Sequence, residues 1–225
     1  MANDYNKLLK LLQLIDDSGF SNDLILVGSW NEYFYGQIYS DYNGFLSTLD
    51  VDFYCLNRIK SKSDTNLSSI LIKDGYTFNQ DPLTNKTVFF NEDFEIEFLS
   101  KITREMNNTI KIPRLDVVAE CLGGLEIIER YILPYYDETF DFHVNLVKPS
   151  CYCVHKIIIN NQRKENKKEK DRLAIMNVLD LISRHYNLKE EFKQIVDGLS
   201  KKQRKAFNDN VTVIGITESI ENVMG

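Results

Sequence analysis

The stretch STLDVDFYCL, residues 47–56, constrains the chain more than any other, because it has the make-up of a core strand yet carries two carboxylates, Asp50 and Asp52. Side chains alternate along a strand, so both acids project from one face while Leu49, Val51 and Phe53 are expected in the opposite layer. Two neighbouring carboxylates repel and lose hydration unless a cation lies between them. Hard oxygen donors at this spacing suit Mg²⁺ or Mn²⁺. The chain must therefore fold so that one sheet face stays polar while the other is buried.

The rest of the sequence surrounds this strand with an ordered set of elements. Helical spacing of Tyr5, Leu8, Leu9, Leu12 and Ile15 predicts a helix over 4–18, closed by a turn at Ser18 and Gly19. A short apolar run over 24–27 then reaches Gly28 and Ser29, which reads as a strand feeding a tight turn. Helical spacing resumes through Trp30, Tyr33 and Phe34, and a polar loop over 39–47 leads to the acidic strand. Residues 61–64 read as the start of a further helix ending near Asp74 and Gly75. Between 76 and 100 the pattern alternates, and residues 91–93 carry a turn signal between 86–90 and 94–98, which predicts a hairpin. Its second strand repeats the oddity of the first, with Glu95 and Glu97 on one face and Phe94, Ile96 and Phe98 on the other. Residues 125–133 and 140–147 read as two more strands. After Lys148 and Pro149 the chain becomes helical, to about residue 208. The expected division is an α/β part over 1–149 and a helical part over 150–225.

Composition narrows the class. The chain has 225 residues, 43% hydrophobic and 27% charged, with only 10 glycines and 4 prolines, so large-scale disorder is not expected. A net charge of −6 argues against a general nucleic-acid coat. No run is long and apolar enough for a membrane span, and no secretory leader is visible, so no membrane partner and a cytoplasmic location are expected. Cys55, Cys121, Cys151 and Cys153 have neither zinc-finger spacing nor histidine complements, and reduced buried thiols are expected.

Gly-Ser at a strand-to-helix turn, D-x-D on the next strand and an acid on a later strand together resemble the nucleotidyltransferase fold of polymerase-beta-like enzymes and minimal nucleotidyltransferases. The segments 28–35, 48–53, 94–99 and 149–156, with the Lys-rich tract after them, look most like a group of bacterial proteins of this fold. That group is related to the nucleotidyltransferase toxins of abortive-infection toxin–antitoxin systems. The third acid is Glu97 where that group commonly has Asp, with Glu95 as a second candidate. The resemblance implies an α/β (α+β) fold with a mixed β-sheet flanked by helices and a C-terminal helical region.

It also implies a chemistry. Asp50, Asp52 and Glu97 would be catalytic and would ligate Mg²⁺ or Mn²⁺, and Gly28, Ser29 and Lys156 would contact a nucleoside triphosphate. The reaction would move a nucleoside monophosphate to a hydroxyl of RNA, protein or a small molecule. Two other readings stay open at this point: an inactive binding or regulatory module, and a toxin-like protein with an antitoxin-like partner. Lys156 reads equally as a solvated surface lysine, His155 as a hydrogen-bonded packing residue, and the charged tract 162–172 as a solvated loop.

Overall fold

The structure, a computed structural model, describes residues 2–45, 48–56, 65–102 and 108–225. The chain forms two compact units. The first draws on Met1–Gly28, Thr48–Leu125 and Ile132–Leu146, and the second on Ser29–Ser47, Glu126–Tyr131 and Val147–Gly225.

The first unit begins with helix α1, Ala2–Asp17, which buries Leu8, Leu9, Leu11, Leu12 and Ile15 on one face. Strand β1, Leu24–Val27, follows, and the chain then passes through helix α2, Trp30–Ile38, before returning as β2, Asp50–Cys55. Helix α3, Leu67–Lys73, is capped by Asn66, whose side chain accepts from the Ser69 amide. The expected helix start at 61–64 lies outside the described residues. Five strands come next: β3, Thr77–Gln80; β4, Thr87–Phe90; β5, Glu95–Lys101; β6, Thr109–Ile112; and β7, Val117–Leu122. The alternating pattern forecast the hairpin of β4 and β5. It did not forecast β3, whose four residues are all exposed, or the short β6.

These strands build a mixed sheet in the order β1-β2-β5-β4-β3, with β7 on β5 beyond the end of β4 and β6 outside β7. β1 runs antiparallel to β2, whereas β2 and β5 are parallel. One face of the sheet is a continuous apolar layer. Val51, Phe53, Phe89, Ile96 and Phe98 are all buried there, with the Phe98 ring centroid 6.1 Å from both Phe53 and Phe89. Aromatic and β-branched residues at every second position form such a layer because only one side of each strand is removed from water. Leu49, expected in this layer, precedes the strand and is 66% exposed.

Residues 125–133, expected as a strand, instead make a 3-10 turn, Leu125–Arg130, followed by β8, Ile132–Asp137. The segment LEIIER has no alternation of apolar and polar positions, and its apolar residues stand at helical spacing instead. β8 pairs with β9, Phe142–Val147, as a separate ribbon. Asp16 accepts from the His143 amide, and Asn145 donates to the carbonyls of Ser21 and Leu24, which anchors β9 in the first unit.

The second unit holds α2 and five further helices: α4, Pro149–Ile159; α5, Glu165–Arg184; α6, Tyr186–Asp197; α7, Lys201–Ile214; and α8, Thr217–Met224. Helical structure therefore continues well beyond residue 208. Asn210, Val211 and Ile214 carry the buried face of α7 past that point. α4 is buried nearly all round, and Asn210 Nδ2 donates to the Ile157 carbonyl at 2.7 Å and to that of Ile158 at 3.2 Å. A buried asparagine here satisfies carbonyls that the end of a helix leaves without partners. α7 opens with a reciprocal capping box of Ser200 and Gln203. The tract 162–172 is not a solvated loop. Most of it forms the first turns of α5, and Asp171 is buried.

All four cysteines are buried free thiols, and burial pushes Cys55, Cys151 and Cys153 well above the ordinary thiol range. Among the described residues no helix is long and apolar enough to cross a membrane.

Candidate active site

The polar face of the sheet in the first unit collects the acids that the sequence singled out. On β2, Asp50 and Asp52 are half-buried while Val51 and Phe53 beside them are fully buried. Parallel pairing sets Asp50 opposite Glu95 and Asp52 opposite Glu97. Residues that pair directly share a face, so all four carboxylates rise from one side of the sheet. Glu95 is exposed, and Glu97 sits lower, with its side chain 23% exposed.

Gly28 meets this face from β1. Val27 pairs with Asp52, and Gly28 follows immediately with φ +74°, a left-handed conformation that side chains with a Cβ adopt only at a cost. A Cβ placed on Gly28 would lie 2.8 Å from Asp52 Oδ2, inside contact distance. Glycine is thus required twice here, by backbone conformation and by the carboxylate packed against it. Ser29, next along the chain, is the N-cap residue of α2, and its hydroxyl makes no capping hydrogen bond to that helix.

Sequence reasoning missed Lys86. Its ammonium donates to Glu97 Oε1 at 2.8 Å and reaches Glu120 Oε2 at 3.2 Å. Register explains the meeting. Val88 pairs with Glu97, so Lys86, two residues earlier, projects from the same face, and Leu99 pairs with Glu120 of β7. Partial burial by itself would lower the Lys86 pKa. The hydrogen bond and charge of Glu97, joined by Glu120, outweigh that and hold it above the usual lysine value. The hairpin's register was the signal that could have found Lys86, since its turn at 91–93 fixes which residues lie near Glu97.

Among the described residues no three carboxylate, imidazole or thiolate groups converge closely enough to share a metal ion. Lys86 supplies a physical reason, since one oxygen of Glu97 is already committed to an ammonium. The donor chemistry nonetheless fits a hard divalent cation: Asp50 and Asp52 offer oxygens on one face, and Gly28 keeps open the space beside Asp52 that any side chain would fill.

The two remaining candidates lie in the second unit. Lys156 is not a solvated surface lysine. It is 7% exposed, donates to Asp171 Oδ1 at 2.5 Å and lies 5.0 Å from the centre of the Tyr152 ring. Arg163 Nε donates to the other oxygen of Asp171 at 2.8 Å. His155 is half-buried, its Nε2 is shut off from solvent without a hydrogen-bond partner, and burial, reinforced by the positive charges of Lys156 and Arg163, lowers its pKa to about 4. It is neutral near pH 7 and has no carboxylate to orient it as a base. Trp30 and Tyr35 are core residues, with Trp30 packed on Phe45 at 5.1 Å between ring centres.

A nucleotidyltransferase family model matches residues 6–197. The chain belongs to the nucleotidyltransferase family. Among solved structures it is similar to an antigenic nucleotidyltransferase-like protein from Paracoccidioides brasiliensis, with 14% identity and a TM-score of 0.52 over 97% of this chain and 92% of that one. At that identity the likeness establishes the nucleotidyltransferase-like fold, a mixed sheet with helices, and nothing finer. A comparison with curated proteins finds no match. Family membership supports nucleotidyl transfer as the activity and a nucleoside triphosphate as substrate.

Proposed function

We propose that this nucleotidyltransferase moves a nucleoside monophosphate from a nucleoside triphosphate to a hydroxyl acceptor, and that the polar sheet face of the first unit carries the chemistry. The observation that supports this most strongly is the in-register set Asp50, Asp52 and Glu97, with Gly28 packed against Asp52. The acceptor oxygen attacks the α-phosphorus, and the bond from that phosphorus to its bridging oxygen breaks, so pyrophosphate leaves. Glu97 takes the hydroxyl proton. Asp50 and Asp52, joined by Glu97, would hold Mg²⁺ or Mn²⁺, which when bound offsets phosphate charge and orients the triphosphate. Gly28 leaves room for the backbone to approach a phosphate oxygen. Lys156 is engaged by Asp171 and has no role in this proposal.

A second reading has one observation in its favour. Glu97 is bound to Lys86, so a protein that keeps this pairing would hold a nucleotide without turning it over. Calorimetric titration of ATP, GTP, CTP and UTP with Mg²⁺, combined with a pyrophosphate-release assay, separates the two. For the enzyme, metal-dependent binding and pyrophosphate release are both expected, with release reduced at least about 100-fold in Asp50→Asn. Binding without release supports the second reading, and release unaffected by Asp50→Asn removes these acids from the reaction.

A further inference from the structure

Lys86 is the cation already present at the third-acid position. Its ammonium lies between Glu97 and Glu120, with side chains 19%, 23% and 38% exposed respectively. Glu97 is therefore shared between two demands: it faces Asp52 across the strand pair, where the proposed metal site lies, and it accepts a charge-assisted hydrogen bond from Lys86. An ammonium on Glu97 Oε1 and a divalent ion on the other oxygen of the same carboxylate would lie close together, and their charges repel at that range. For Glu97 to turn toward a metal, Lys86 must release it. A half-buried ammonium without a counterion is costly, and Glu120, already at 3.2 Å, provides one.

We propose that Lys86 is a positioning residue that occupies Glu97 in the metal-free protein, and that Glu120 receives Lys86 when Glu97 turns to the cation. The inference rests on Asp50 and Asp52 as the metal site. Glu120 touches neither metal nor substrate in this scheme. Its part is to lower the cost of the exchange, which makes metal loading depend on a residue outside the three acids.

The test is Mn²⁺ binding to the nucleotide-free protein, followed by the electron paramagnetic resonance signal of free Mn²⁺, so that no catalysis is involved. Lys86→Met is expected to tighten binding about five- to tenfold, because Glu97 no longer has a competing partner. Glu120→Gln is expected to weaken binding about threefold, because the ammonium then rests on Glu97 alone. In the Lys86→Met background Glu120→Gln should have no effect, whereas a direct attraction between Glu120 and the metal would persist there. Lys86→Arg should restore near wild-type affinity. Unchanged affinity in Lys86→Met, or a Glu120→Gln effect that survives it, overturns the proposal. Should Lys86→Met not fold, Glu120→Gln carries the test alone, and unchanged affinity in it also overturns the proposal. Asp50→Asn separates the two layers: binding lost there but indifferent to Lys86 removes only the positioning role, while binding retained there removes the metal site itself.

Discussion

Charged groups are handled in opposite ways in the two units. On the sheet face of the first unit, Asp50, Asp52 and Glu97 are half-buried, and the ammonium on Glu97 is shared with a second acid. In the second unit the charges are sealed in. Glu32 is fully buried and accepts from Tyr42 at 2.8 Å and from Tyr152 at 2.5 Å, and Asp171 is held by Lys156 and Arg163. A buried charge with all its partners in place serves the fold, because any exchange would expose it to a large desolvation penalty. A half-exposed carboxylate on a rigid strand can change partners at little cost, as a reacting group must. Burial with full satisfaction thus distinguishes structural acids from candidate functional ones better than residue type does.

The contrast can be broken most directly by Asp171→Asn. It leaves Lys156 and Arg163 beside a neutral group and should lower the unfolding free energy by about 3–5 kcal/mol in urea denaturation, whereas Asp50→Asn should change it by less than about 1 kcal/mol. Equal costs would mean that the sheet acids are structural too. Gly28→Ala comes next. The left-handed backbone and the 2.8 Å approach to Asp52 predict a loss of about 1–3 kcal/mol in the same assay, together with weakened Mn²⁺ binding as the carboxylate is displaced. Stability lost without any effect on Mn²⁺ would detach Gly28 from the site.

The smallest effect is in the pH dependence. Burial raises the Glu32 pKa even though Tyr152 and Tyr42 hydrogen-bond its ionised form. The folded state then holds the proton more tightly than the unfolded chain, so this contribution to stability is full below the unfolded value of about 4.5 and fades as pH rises through the folded value. Asp171 has the opposite sign. Burial opposes its charge, but Lys156 and Arg163 prevail and lower its pKa, so its contribution is present above the ordinary carboxylate range and is lost as pH falls through the lowered value. Glu32→Gln should flatten the decline of stability above about pH 4.5, measured by urea denaturation at a series of pH values. A decline that persists in Glu32→Gln would assign it to other groups.

Much of the candidate site could be read from local pattern. Alternation placed Asp50 with Asp52 and Glu95 with Glu97 on exposed strand faces, and a Gly-Ser pair after an apolar run marked the turn into α2. Residues whose roles are set by distant partners could not be read this way. Lys156 reads from sequence equally as a phosphate contact or a surface lysine, and only its partners Asp171 and Tyr152 place it in the interior, while Glu32 meets Tyr152 across 120 residues of sequence. Leu125–Arg130 reads as a strand if only its apolar content is weighed, whereas the three-residue spacing of Leu125 and Ile128 is that of a helical turn.

By itself the sequence determined which side chains share a strand face, because a period of two is a property of the local backbone, and it determined the family through the order of its motifs. Tertiary structure alone decided that β2 and β5 are parallel neighbours in register, that Gly28 packs on Asp52, and that Lys86 bridges Glu97 and Glu120. Strand order and register arise from burying one apolar layer across the whole sheet, a sum over distant residues that no single segment contains.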